Sequence, residues 1–228
     1  LSAAFNLASR HAIDVGGKSR RRCAWARRST ILAQGRLILA SDPFATDGVP
    51  LSIHRVVTGH DENGSSMVAL NCPPPRSDAF QHIPGMVSRL VWATEPEPTL
   101  PFDGTDQTLA VTSIVPPLSG TRFLVVTFPP DSVFFAPGFD AEAAAAENLA
   151  ISPGLAELFE ADGMHATPTV DYGIVLDGEI WLELDDGRAE FLHRHDVVVQ
   201  NGTRHAWRNK SNRPATLAFI LIGARKGK

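Results

Sequence analysis

The chain has little cysteine: Cys23 and Cys72 are the two in 228 residues. Two cysteines cannot build a disulfide framework, so the count favours a reducing, cytoplasmic setting. Long apolar runs are missing too, and none approaches the roughly 20 residues of a membrane-spanning helix. Glycine-rich phosphate loops, solenoid repeats and a helix-turn-helix ahead of the β-rich part are also absent. Basic residues are scarce once the N-terminus is passed. Residues 1–41 hold eight Lys/Arg and one acid, leaving 13 basic against 24 acidic residues, a net of −11, in the rest. So acidic a body argues against a nucleic-acid partner, because neutralising phosphates takes clustered cations.

What is present is an ordinary globular composition, 43% apolar and 20% charged, at a length that suits one domain with extensions. Residues 1–50 read as a basic, irregular or non-native leader. Their Arg-rich, acid-poor character also fits an organelle-targeting segment or a basic arm for an anionic partner. From Leu51 the pattern is β. Residues 51–86 predict a hairpin, Ile53–Val57 with Ser66–Asn71, followed by a loop over residues 72–85. Strands are expected at Val87–Trp92, Leu109–Val115 and Thr121–Phe128. Helix is expected at Asp140–Glu147, capped by Asp140, and as a second short piece within Pro153–Ala161.

After His165 the turns become regular. Asp177-Gly178 between Tyr172–Leu176 and Glu179–Leu184 is a two-residue hairpin signal. Arg188–Leu192, Val197–Gln200, Arg204–Asn209 and Ala215–Ile222 complete a set of short strands. The fold class is all-β, a sandwich or barrel with a small helical insert.

Side chains alternate faces along a strand. His165, Thr167, Thr169 and Asp171 therefore share one side, as do His205, Trp207 and Asn209. Two imidazoles and a carboxylate are a donor set for a divalent transition metal such as Fe, Mn, Ni, Cu or Zn. They would leave coordination positions open. Equally, they suit a hydrogen-bonded polar row inside a small barrel. His193-Arg-His195 has metal-like spacing but falls in a turn, where solvent is expected. Glu179, Glu183 and Glu190 read as a wet face. Trp181 shares that outer parity, where it suits an edge or a homodimer contact.

The stretch resembles a cupin domain, a double-stranded β-helix (jelly-roll) barrel, over roughly residues 87–224. The first cupin motif has two histidines one residue apart, then a glutamate, then a glycine seven further on. His165, Thr167, Asp171 and Gly178 fall at these places. The second motif ends as Gly202-Thr-Arg-His205-Ala-Trp-Arg-Asn209 does. The chain departs from the pattern at Thr167 and Asp171, at His195 in a usual glycine place, and at Gln200 in a usual proline place. The resemblance implies a metal on His165, Asp171 and His205. It also implies decarboxylase-like or dioxygenase-like chemistry on a small organic acid or hydroxylated ring compound. Thr167 and Thr169 would orient substrate or water, and Tyr172, Trp207 and Asn209 would wall the pocket. With Thr167 in place of an imidazole, a non-catalytic ligand-binding or structural cupin is the alternative.

Overall fold

The computed structural model describes residues 52–225 and 227; the basic leader lies outside the described residues. Strands β1 (Arg55–His60) and β2 (Ser66–Cys72) pair antiparallel as a two-stranded sheet of their own. Their turn is built by Asp61, whose carboxylate accepts from the Asn63 and Ser65 N–H groups at 2.9 and 2.8 Å. The remaining strands are β3 (Arg76–Ala79), β4 (Val87–Thr94), β5 (Thr121–Phe128), β6 (Thr169–Asp177), β7 (Glu179–Glu183), β8 (Ala189–His193), β9 (Val197–Asn201), β10 (Ala206–Arg208) and β11 (Ala215–Gly223). They form a six-stranded sheet, β3-β4-β5-β11-β6-β9, and a three-stranded sheet, β10-β7-β8.

The two sheets face each other across one apolar cluster. Leu90, Leu124, Val175, Leu217, Phe219 and Leu221 come from the larger sheet, Ile180 from the smaller, with Leu192 and Trp207 packed against them. Burying each such side chain contributes roughly 1.5–3 kcal/mol. The larger sheet is covered on its other face as well, where Val91, Val125 and Ala218 meet Ile53, Phe123, Ile174 and Leu176. That explains why β5 and β11 are apolar at both parities. The fold is all-β, a cupin-type jelly roll with one short helix.

One buried ion pair joins the hairpin to the body. Arg55 is paired with Asp106, donates to the Val91 carbonyl at 3.0 Å, and lies over the Trp92 ring. Asp106 in turn accepts from the Thr108 hydroxyl at 2.6 Å.

The helix α1 spans Ala141–Ile151, and Asp140 caps it by accepting from the Ala143 N–H at 2.9 Å. Glu147 on this helix accepts from the Gln81 and His82 N–H groups, both at 2.7 Å, and so ties it to the loop after β3. The second helical piece is only a 3-10 turn, Ala156–Leu158, because Gly154 takes a positive φ of 79° and breaks the run.

Three other expectations are corrected. Residues 72–85 are not all loop: past the prolines, Arg76–Ala79 is a strand paired with β4. The expected strand Leu109–Val115 is irregular instead. Its backbone is satisfied outside any ladder: the Ile114 N–H donates to Pro153, while the Val111 and Ser113 carbonyls accept from Arg76 and Arg122. Asp177-Gly178 does not close a hairpin either. Strand β6 pairs with β11 and β9, whereas β7 pairs with β8 and β10, so the chain crosses between sheets here. Gly178 makes the corner at φ 75°, where a Cβ would lie 2.6 Å from the Pro214 carbonyl oxygen.

Candidate active site

The site begins with a single bridge between the two ends of the β-rich half. His165 precedes β6 and His205 precedes β10, and they exchange both backbone hydrogen bonds at 2.9 Å. Their rings lie 4.3 Å apart. Strand parity then brings Thr167 and Asp171 to the inner face, and the register sets Gln200 of β9 directly opposite Asp171. Gly173 is next on that face. Without a side chain it leaves room between Phe219 and Val198.

These residues line one part of a cavity of about 790 Å³. Most of its wall is aromatic or aliphatic, including Phe128, Phe134, Phe139, Phe159, Trp207 and Phe219. Phe159 stacks on His165 at 4.2 Å between centroids, and Trp207 meets His205 edge-on at 6.0 Å. At the rim, Arg208 donates to Glu183 and to the Asp162 carbonyl, while Arg204 pairs with Glu160, Asp162 and Asp185. The segment that carries Phe159 is thus held against β10.

Burial decides the protonation states. The His165 imidazole is pushed down to about 4 by burial, reinforced by the neighbouring His205 ring. His205 is lowered by the same desolvation, opposed by a backbone hydrogen bond. That bond joins its Nδ1 to the Thr203 carbonyl at 2.9 Å. A carbonyl only accepts, so Nδ1 carries the proton and Nε2 keeps its lone pair. Burial pushes the Asp171 carboxyl up to about 6, while the Thr169 and Thr167 hydroxyls pull it back. Both His165 Nδ1 and Asp171 Oδ1 are buried without a hydrogen-bond partner.

His165, Thr167, Asp171, His205, Trp207 and Asn209 all line the cavity. Tyr172 does not. It alternates to the outer face, 43% exposed, which corrects the expectation that it walls the pocket. Thr169 lies behind the cavity, fully buried, with its hydroxyl donating to Thr167 at 2.7 Å. Asn209 reaches the wall, but its polar atoms are committed. Its amide donates to the Phe128 and Arg213 carbonyls, and its oxygen accepts from Ser211. His193 and His195 are exposed, as expected. Trp181 packs against Phe191 on the outer side of the small sheet. Sequence reasoning missed the aromatic roof. Phe128, Phe134, Phe135 and Phe139 crowd one proline-broken stretch, a signal of pocket lining that helical periodicity does not display.

The chain resembles curated proteins along most of its length. It is 36% identical over 174 residues to phomopsin biosynthesis cluster protein D of Diaporthe leptostromiformis, covering 75% of this chain and 79% of the relative. It is 31% identical over 182 residues to oryzines biosynthesis cluster protein J of Aspergillus oryzae, covering 76% and 84%. A shorter stretch of 62 residues, 26% of this chain and 32% of the relative, is 36% identical to a cupin-domain-containing oxidoreductase of Hypocrea virens. The chain belongs to the cupin superfamily. No family model matches this cupin.

The cupin fold brings a metal into question. Two features of this cupin suit one: the unpartnered His165 Nδ1 and Asp171 Oδ1, and the free Nε2 of His205. Their arrangement does not. Among the described residues no three His, Cys, Asp or Glu side chains group closely enough to hold a single ion. As placed, the donors do not fit a three-ligand centre, and Thr167 supplies only a hydroxyl already accepting from Thr169. No helix among the described residues is long and apolar enough to cross a membrane.

Proposed function

We propose that this cupin is an enzyme that moves a proton on a hydroxylated ring compound bound in the cavity, with His165, His205 and Asp171 as the acid–base groups. One observation carries the reading. Two buried polar atoms, His165 Nδ1 and Asp171 Oδ1, lack partners beside a largely apolar cavity, while burial drives their two groups' proton affinities in opposite directions. A neutral imidazole next to a carboxyl near pH 6 is suited to taking a proton at one atom and returning it at another. The aromatic wall favours a ring compound over a small organic acid.

Several relatives are named oxidoreductases, a role that supports an enzyme-like function for this chain. Imidazole, carboxyl and hydroxyl groups exchange protons, so proton removal beside a carbonyl is the step these side chains carry out themselves. In this reading Thr169 acts through Thr167, and Thr167 on the Asp171 carboxylate, rather than on the substrate.

The test uses 6-hydroxy-1-tetralone, a bicyclic ketone with a ring hydroxyl, as the probe in deuterium oxide. Saturable, protein-dependent exchange of its α-protons is expected, reduced at least 100-fold in Asp171→Asn and His205→Ala. Ligand binding with no exchange would instead favour a non-catalytic binding cupin. The metal reading is decided separately by elemental analysis. Near-stoichiometric Fe, Mn, Ni, Cu or Zn in the wild type, lost in His205→Ala, would replace proton transfer by a metal-centred reaction.

A further inference from the structure

We infer that the cavity selects a neutral aromatic ligand carrying a hydroxyl group, and that Asp171 is the specificity-determining residue that rejects the corresponding carboxylate. The inference rests on the cavity being the substrate site, and it adds the charge and orientation of what enters.

Three features lead there. First, Asp171 Oδ1 is a buried acceptor with no donor, and a ligand hydroxyl is the group that would satisfy it. A ligand carboxylate placed there would bring a second acceptor against the first, both removed from water. Second, among the described residues the two Lys/Arg side chains that line the cavity are engaged elsewhere. The Arg208 guanidinium is taken by Glu183 and the Asp162 carbonyl, and the Lys210 ammonium lies 6.0 Å over the Trp181 ring. Gln200 faces Asp171 across the strand pair, yet its amide nitrogen is spent on the Thr203 carbonyl and hydroxyl at 3.0 and 2.6 Å. The usual means of holding a carboxylate, a paired guanidinium or convergent N–H donors, is therefore not offered at this end. Third, the lining beyond these polar groups includes Phe128, Phe134, Phe139 and Phe219, and about 790 Å³ has room for two fused rings with space beyond them.

The experiment is calorimetric titration of the full chain with 2-naphthol and with 2-naphthoate at pH 7.5, where the first is neutral and the second ionised. The wild type is expected to bind 2-naphthol at least tenfold more tightly. In Asp171→Asn, an isosteric change whose folding is checked by thermal melting, the ratio should fall to threefold or less. Equal or tighter binding of 2-naphthoate by the wild type overturns the inference without reference to any variant. So does failure of both probes to bind, or an unchanged ratio in a folded Asp171→Asn. Naphthol preference without 6-hydroxy-1-tetralone exchange leaves the ligand class standing and removes the catalytic reading; exchange without the preference does the reverse.

Discussion

His165 and His205 are bridged through their backbones at 2.9 Å and hold their rings 4.3 Å apart, although they stand forty positions apart in the chain. Two imidazoles so close and so buried are both held neutral by desolvation, while Asp171 nearby is shifted the other way.

The opposed shifts predict a pH signature. His165 falls from 6.5 to about 4 on folding, so its contribution is lost as pH drops through that window. Asp171 rises from 3.8 to about 6, so its contribution is present at low pH and lost as pH climbs toward 6. The two slopes oppose between pH 4 and 6. Asp171→Asn removes one of them, and urea unfolding of the variant should gain stability with pH more steeply than wild type, by about 1.4 kcal/mol per pH unit. Parallel curves would mean that the groups do not titrate in this way.

Asn209 should act on stability rather than on binding. It joins the ends of β5 and β10, and its backbone N–H donates to Asp131 while its carbonyl accepts from the Asp131 N–H. Asn209→Ala is expected to cost about 2–4 kcal/mol in chemical denaturation. Affinity for 2-naphthol should stay within threefold in the folded variant. A large affinity loss at unchanged stability would place Asn209 among the ligand contacts.

Two glycines separate strain from crowding. Gly178 and Gly187 both have positive φ, 75° and 69°, but only Gly178 has neighbours within 4 Å of an added Cβ. Gly187→Ala should cost about 1–2 kcal/mol, the left-handed penalty alone. Gly178→Ala should cost clearly more, since a corner between sheets must open. Equal losses in thermal unfolding would show that crowding at Pro214 is relieved cheaply.

The Arg55–Asp106 pair is nearly dry, with side-chain exposures of 6% and 13%. Removing one partner strands the other, so Arg55→Ala should destabilise by about 3–5 kcal/mol. The double variant Arg55→Met, Asp106→Leu should recover much of that loss. If the double variant unfolds as readily as the single, the pair contributes more than its own desolvation.

Much of the site was legible because strand parity is a local property. His165, Thr167 and Asp171 share a face by counting alone, and so do His205 and Trp207. The same count already set Tyr172 on the other face, and the structure leaves it outside the cavity. Other features were out of reach of local rules. Asp177-Gly178 has the composition of a hairpin turn, and only the pairing of β6 with β11 makes it a crossing between sheets. Leu109–Val115 has strand propensity, but Arg76, Arg122 and Pro153 take up its backbone groups from elsewhere.

The sequence by itself determined the all-β class, the helix after Asp140 and the residues that can exchange protons, since periodicity, capping and side-chain chemistry act over a few residues. Only the tertiary structure decided what those residues face. Bridging His165 to His205, closing the aromatic roof and leaving Asp171 Oδ1 without a partner are contacts between distant segments. Desolvation, which sets their proton affinities, exists only once those segments have packed.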